Sequence, residues 1–285
     1  MPTNFKKKDV AGAVILYNSE NDTVDTIQTY LEQVEKLYVV DNSSLPNHAL
    51  ISALKAYPHV HYHSLVGNKG IAAALNWAAQ KAILDEFSLL LTMDDDTRTP
   101  PEMVNQMIDF WNSYPSEIGI LSGVHHNKKD DEIFRPLMFT LTSGNLLSLT
   151  AYQEIGGFNN DLFIDHVDHE FGLRLNASGY QVIELPFIRL DHKLGYSRHI
   201  KIGSFVLGKY GTHSPIRLYY FTRNGIYLSY KYFKTNPEFV WTVFKEILKK
   251  GFKSIILDNN RLKGIHMLQK GIKDGLTGRL GQFNE

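Results

Sequence analysis

The chain of 285 residues has no cysteine. That excludes disulfides, thiolate metal sites and a cysteine nucleophile, and it fits a reducing compartment. Net charge is also absent: 30 Lys and Arg balance 30 Asp and Glu, so global charge points to no polyanion, nucleic acid included. No run approaches the roughly 18 apolar residues of a membrane-crossing helix. Lys6, Lys7 and Lys8 lead into a short strand-like segment, not a signal-peptide apolar region. A cytoplasmic location is therefore expected. Repeats and low-complexity tracts are missing. So is a Gly-x-Gly-x-x-Gly after the first strand-like run, which removes the dinucleotide-phosphate fingerprint.

What the chain does have is Leu89-Leu90-Leu91-Thr92-Met93-Asp94-Asp95-Asp96-Thr97-Arg98-Thr99-Pro100. The apolar part predicts a strand buried on both faces. Pro100 and Pro101 are expected to open a helix, where a missing amide is least harmful. The three acids then sit at the carboxyl end of a central strand, where open α/β sheets place ligands. Adjacent carboxylates repel, and hard divalent cations prefer oxygen ligands. An acidic turn capping the next helix would account for the same residues without a cation.

Around that stretch the first half alternates. Val10 to Tyr17 predicts a strand, Asp22 a cap for a helix over 23–35, and Leu37 to Val40 a second strand. Pro46 begins another helix, Val60 to His63 is a third strand, and Ile71 to Leu84 is an Ala-rich helix. Strand–helix repetition with short loops indicates a mostly parallel sheet with helices on both faces. Its strand ends would bring Asn18, Asp41 and Asp94 to one edge, with Asp41 placed for a ribose or base contact. Gly67-Asn68-Lys69-Gly70 offers amides and one cation to an anionic or polar group, although such a turn is often only a turn. Together these positions favour a nucleotide pocket.

After Ile118 to Leu121 the alternation ends. The segment His125-His126-Asn127-Lys128-Lys129 reads as a solvated loop more than a metal site. Pro136 to Leu141 and Gly144 to Leu149 are expected as strands of a smaller mixed sheet, with Ser143-Gly144-Asn145 as an acceptor-side loop. Thr150 would cap a short helix ending at Gly156-Gly157. A helix from about Asp168 puts Asp168 and Glu170 in its first turn, where the helix dipole favours acids. That does not account for Asp165, and an Asp beside a nucleotide pocket could serve as a general base. Gln181 to Leu185 and Ile188 to Leu190 read as closing strands. His192 gains meaning only if the fold carries it to the acidic cluster. The tail differs: Pro215 to Phe233 is an aromatic-rich helix containing Arg223-Asn224, followed by amphipathic helices over 237–250 and 260–274. Between Lys245 and Arg279 there are nine Lys and Arg against three acids. Such helices suit an anionic membrane surface or packing on the protein's own domain or a second subunit, including a homo-oligomer.

Several motifs, in order, resemble family 2 glycosyltransferases of the GT-A fold, and bacterial dTDP-rhamnosyltransferases among them. They are Val14-Ile15-Leu16-Tyr17-Asn18, Val39-Val40-Asp41-Asn42-Ser43-Ser44, Asn68-Lys69-Gly70-Ile71, Met93-Asp94-Asp95-Asp96-Thr97, Gly156-Gly157-Phe158, Phe163 to Phe171, Asp191-His192-Lys193-Leu194-Gly195 and Tyr219 to Asn224. Asp94-Asp95-Asp96 fits the DxD pattern. Asp95 stands where the rhamnosyl subgroup often has Gln, and His166 and Phe171 replace a Tyr and a Trp.

The resemblance implies a Rossmann-like GT-A domain over 1–205, with a nucleotide-binding half (1–121) and an acceptor-binding half (122–205). A helical region over 206–285 would follow. It implies that Asn18, Asp41, Asn68, Lys69 and Asp94 meet the donor nucleotide, and that Arg223 and Asn224 hold the diphosphate or order the tail. Asp96 and His192 would ligate Mn²⁺ or Mg²⁺. Asp168 would be the catalytic base, with Asp165, Glu170, Gly144 and Asn145 on the acceptor side. The implied reaction is inverting transfer of a sugar, rhamnose from dTDP-rhamnose first, to a glycan or lipid-linked acceptor of a cell-surface polysaccharide. A UDP-sugar donor (galactofuranosyl, glucosyl or galactosyl) is the alternative, as is a catalytically silent scaffold subunit. A nucleotidyltransferase would want a Gly-rich basic loop after the first strand, and Asn18 to Asp22 offers none.

Overall fold

The computed structural model describes residues 4–125, 132–192, 197–202, 205–211, 214–257 and 261–283. His126 to Lys129 and Lys193-Leu194-Gly195 therefore lie outside the described residues. The chain forms two compact units, Met1–Asn159 with Asp168–Lys193, and Asn160–Val167 with Leu194–Glu285.

The first unit contains β1 (Val10–Leu16), α1 (Thr23–Leu31), β2 (Lys36–Asp41), α2 (His48–Lys55), β3 (Val60–Ser64), α3 (Ile71–Leu84) and β4 (Leu89–Asp94). It continues through β5 (Thr97–Arg98), α4 (Met103–Ser113), β6 (Ile118–Val124), β7 (Arg135–Pro136), β8 (Asn145–Ser148) and α5 (Leu149–Ile155). α6 (Val167–Ala177), β9 (Gln181–Arg189) and β10 (Asp191–His192) complete it. Among the described residues one eight-stranded sheet runs in the order β3-β2-β1-β4-β8-β6-β9-β7. β3, β2, β1 and β4 are parallel, as are β6 and β9.

β1 is buried at all seven positions, which requires cover on both faces. Val10, Val14 and Leu16, with Leu89, Leu91 and Met93 of β4, join one core with Ile27, Leu50 and Met107 from α1, α2 and α4. The alternate residues face the opposite side, where α3 meets β1, β2 and β4. Its Ala72, Ala74, Ala78, Ala79 and Ala82 are fully buried, and small side chains let the helix lie close.

Several sequence expectations change. Gly144 to Leu149 does not build a separate small sheet: β8 inserts antiparallel between β4 and β6 at the centre of the main one. A four-residue apolar run carries no signal of which sheet it joins. Of Pro136 to Leu141 only Pro136 is extended, paired through β7 to the far edge. The two closing strands are one, β9. The register with β6 jumps from Gly123↔Leu185 to Val124↔Arg189, so Pro186 is not required to donate there. The prolines at 100 and 101 precede α4, which starts at Met103 after a left-handed Glu102 (φ 60°). α1 stops at Leu31, short of 35. Ser148, not Thr150, caps α5 by accepting from the Ala151 amide.

In the second unit, β11 (Ser197–Ile202) and β12 (Phe205–Gly211) pair antiparallel. α7 (Pro215–Tyr232), α8 (Pro237–Leu257) and α9 (Arg261–Leu276) pack together. A methyl at Gly275 of α9 would sit 2.6 Å from the Arg223 carbonyl oxygen, so glycine there sets the close α7–α9 approach. The Tyr219 hydroxyl donates to Asp274 (2.9 Å) across the same contact.

Candidate active site

The ends of β1, β2 and β4 build the site. β4 delivers Asp94, and the turn after it presents Asp95 and Asp96. The two-residue bridge β5–β10 pairs Thr97 with His192, which fixes the histidine beside those acids. Thr97 Oγ1 contacts His192 Nδ1 at 2.9 Å, and the other ring nitrogen lies 3.7 Å from Asp96 Oδ1. One ligand atom each from Asp94, Asp96 and His192 falls within 4.8 Å of the others. Asp96 Oδ1 is buried without a hydrogen bond among the described residues. An orphaned carboxylate oxygen between a second acid and an imidazole fits a divalent cation, and the nitrogen ligand leans toward the transition metals.

Asp95 belongs to a different contact. It accepts from the Ser19 hydroxyl in the loop after β1. Burial pushes its carboxyl above the usual range, Ser19 opposing and the charge of Asp96 adding. Beneath, the wholly buried Tyr30 hydroxyl has no hydrogen-bond partner among the described residues. Burial first, then Asp95, Asp94 and Asp96, push its ionisation well above the ordinary phenol.

Asp41, at the end of β2, is buried. Its carboxylate accepts from the Ser43 amide (2.9 Å) and the Tyr62 hydroxyl (2.9 Å). Asn18 is exposed, in a left-handed turn (φ 53°), with its amide donating to Ser43 Oγ. Asn42 ties this edge to the 67–70 turn: its Oδ1 accepts from the Lys69 amide (2.7 Å) and its Nδ2 donates to Asn68 Oδ1 (3.1 Å).

Asp168 lies in the first turn of α6, its Oδ1 accepting from the His169 amide at 2.9 Å. It lines a cavity of about 10 Å³ with Thr92, Thr140, Thr142 and Asn145. Asn145 is held by Thr140 (2.8 Å). Gly144 beside it has φ +78°, and a Cβ there would come 2.2 Å from Leu190 Cδ1. Gly144→Ala should therefore destabilise the protein by about 1–3 kcal/mol, read as a lowered midpoint in thermal denaturation; an unchanged midpoint would refute the clash.

Three other candidates have structural surroundings. Glu170, 1% exposed, pairs with Arg174 (2.8 Å), whose guanidinium also donates to the Ile155 and Gly157 carbonyls. Asp165 is held by Arg217 through two bonds, 2.9 and 2.6 Å. Arg223 is fully buried and donates to Asn224 Oδ1 and to the carbonyls of Asp161, Leu162 and Gly281. Of its two roles, ordering the tail is the one this geometry supports.

Sequence reasoning missed Thr97, read Ser143 only as part of an acceptor-side loop, and read His125 as part of a solvated loop. The Ser143 hydroxyl accepts from the Asp94 amide (2.9 Å), and its carbonyl contacts His125 Nε2 (2.9 Å). The His125 ring meets the His192 ring edge-on at 5.3 Å. Its position just after an expected strand was the available signal; the polar run behind it pointed to a loop.

A sequence-family model described as glycosyl transferase family 2 matches residues 13–209. The chain belongs to glycosyltransferase family 2. A relative in Shigella flexneri, dTDP-rhamnosyl transferase RfbF, is 24% identical over 243 residues, 77% of this chain and 79% of that protein. Among solved structures, S. aureus TarS in complex with UDP-GlcNAc superposes with a TM-score of 0.56 at 14% identity, covering 97% of both chains. Against a longer TarS chain the score is 0.58 at 16% identity, and this family 2 chain spans 48% of that length. GalNAc-T7 with UDP, GalNAc and Mn²⁺ gives 0.57 at 13% identity over 94% of this chain and 55% of that one. These likenesses establish a GT-A-like fold.

Proposed function

We propose that this family 2 glycosyltransferase moves a sugar, rhamnose from dTDP-rhamnose first, to a hydroxyl of a glycan or lipid-linked acceptor with inversion. The observation that carries the proposal is the convergence of Asp94, Asp96 and His192 at the end of β4. Asp41, Asn68 and Lys69 bind the base and ribose, with Asp94 on the ribose. Asp96 and His192 would hold Mn²⁺ or Mg²⁺, which when bound would supply positive charge against the donor diphosphate. Asp168 takes the proton of the acceptor hydroxyl. That oxygen forms the new bond to the anomeric carbon as the bond to the diphosphate oxygen breaks, and the electron pair leaves with the nucleoside diphosphate. Asn145 stands beside Asp168 on the acceptor side, sharing with it a cavity no larger than one water.

The rhamnosyl donor is favoured by the named activity of the RfbF relative; the UDP complexes of the fold neighbours support a UDP-sugar as the second reading. A thermal-shift screen of dTDP-, UDP- and GDP-sugars with Mn²⁺, followed by a donor-hydrolysis assay, tests both. Stabilisation by dTDP-rhamnose above all others is expected, and preference for a UDP-sugar would replace the donor. No hydrolysis of any donor would favour the scaffold. Asp96→Ala should abolish the Mn²⁺-dependent part of the nucleotide shift; equal affinity with and without Mn²⁺ in both proteins would remove Asp96 from the metal site.

A further inference from the structure

α8 has two unlike faces. Phe239, Val243 and Ser254 are buried. Trp241, Phe244, Leu248, Phe252, Ile255 and Ile256 are exposed, Phe252 at 65%. At about 100° per residue the exposed six fall in one sector of roughly 120°, a stripe about 22 Å long. Trp241 and Phe244 stack within it, ring centroids 5.8 Å apart. An apolar row of that length does not normally face water on a soluble protein.

The charges are placed to match. Lys245, Lys249 and Lys253 recur every fourth residue, so they climb one side of the helix, from within the edge of the stripe at Lys245 to a half-buried position beyond it at Lys253. Lys245 Nζ lies 5.1 Å from the Trp241 ring centroid. The fourth lysine of α8, Lys250, lies over Phe221, 4.6 Å from its ring. The two acids of the helix are Glu238 and Glu246, and Glu246 is paired with Lys249 at 3.1 Å. An aromatic and aliphatic stripe edged by lysines matches a bilayer interface with anionic headgroups: rings and branched chains enter the acyl boundary while lysine stems extend to the phosphates. A second copy fits less well, because antiparallel pairing through this stripe sets the lysine row against its own symmetry mate. We propose that the outer face of α8 docks the protein on an anionic lipid surface. This is independent of which donor the first unit uses.

The test is co-sedimentation of the full chain with phosphatidylcholine vesicles, with and without phosphatidylglycerol, alongside sedimentation velocity. Binding to the anionic vesicles is expected, with a blue shift of tryptophan emission that Trp241→Phe removes. The triple variant Lys245→Glu, Lys249→Glu, Lys253→Glu should lose at least tenfold in partitioning, and the pair Leu248→Glu, Phe252→Glu should abolish it. These positions are exposed except the half-buried Lys253, and retained helical circular dichroism and thermal midpoint check the fold. Wild-type protein that ignores anionic vesicles overturns the proposal, as does undiminished binding by the Leu248/Phe252 variant. Stripe variants that turn a dimer into a monomer without changing vesicle binding would assign the face to a second copy instead.

Discussion

Asp168→Asn is expected to lower kcat by about 10²–10⁴, the usual contribution of a positioned general base. Donor affinity should stay nearly unchanged. The substitution is close to isosteric, and an amide oxygen can still accept from the His169 amide as Asp168 Oδ1 does at 2.9 Å. What it cannot do is take a proton at neutral pH. Asp168 faces a cavity shared with Thr92 and Asn145, so the loss should fall on transfer and not on nucleotide binding. Release of nucleoside diphosphate in the presence of acceptor, with calorimetry of the nucleotide, separates the two. Near wild-type turnover would dismiss Asp168 and turn attention to Asp165. The geometry argues against that exchange, because both oxygens of Asp165 are already engaged by Arg217.

The parallel half of the sheet and the acidic strand end were legible because their signals are local. β1 is an unbroken apolar run, and β4 is one interrupted only by Thr92 and closed by Asp94. Asp41 and Asp94 follow from strand order alone. The position of β8 was not legible, since Asn145 to Ser148 is short and its neighbours β4 and β6 are chosen by tertiary packing. His192 could be singled out only through resemblance: its partners Thr97 and Asp96 are joined to it by a two-residue bridge across about 95 positions of chain. The separate surroundings of Asp95 and Asp96 were equally hidden, because identical side chains at adjacent positions are told apart only by the distant partners that reach them, Ser19 for one and His192 for the other. Arg223 shows the opposite failure. A cation in a motif invites a phosphate, while its burial under backbone carbonyls depends on a turn some sixty residues away.

Arg223→Ala should cost at least about 3 kcal/mol, the largest stability loss expected from a single change in the second unit. The guanidinium donates to Gly281, Asp161 and Leu162 carbonyl oxygens. Asp161 keeps the Gly281 amide, and Leu162 keeps Asn224 and the Ile164 amide, so the loss is the donor of the Gly281 carbonyl, about 1–3 kcal/mol, plus the cavity left by a fully buried side chain. The segment it holds is already strained, since Phe163, Asp165 and His166 have φ of 64°, 63° and 62°, a region non-glycine residues rarely adopt. Asn224 secures the same turn through the carbonyls of Leu162, Ile164 and Asp165 (2.8, 2.8 and 2.9 Å). Asn224→Asp keeps the shape and turns the donor into an acceptor facing three carbonyls, so it should approach the Arg223→Ala loss. Arg223→Lys keeps the charge but not the planar fork and should fall between wild type and Ala. Urea denaturation followed by circular dichroism measures all three. Because the chain has two units, the expected signature is an earlier transition of the helical tail, not a uniform shift. If Arg223→Ala unfolds like the wild type but loses nucleotide affinity, the guanidinium belongs with the donor diphosphate. If both properties fall together, the donor assay on Arg223→Lys decides: recovered stability with lost nucleotide affinity would again place it there. Recovery of both would leave Arg223 as the residue that keeps the strained 163–166 turn in place ahead of Asp168.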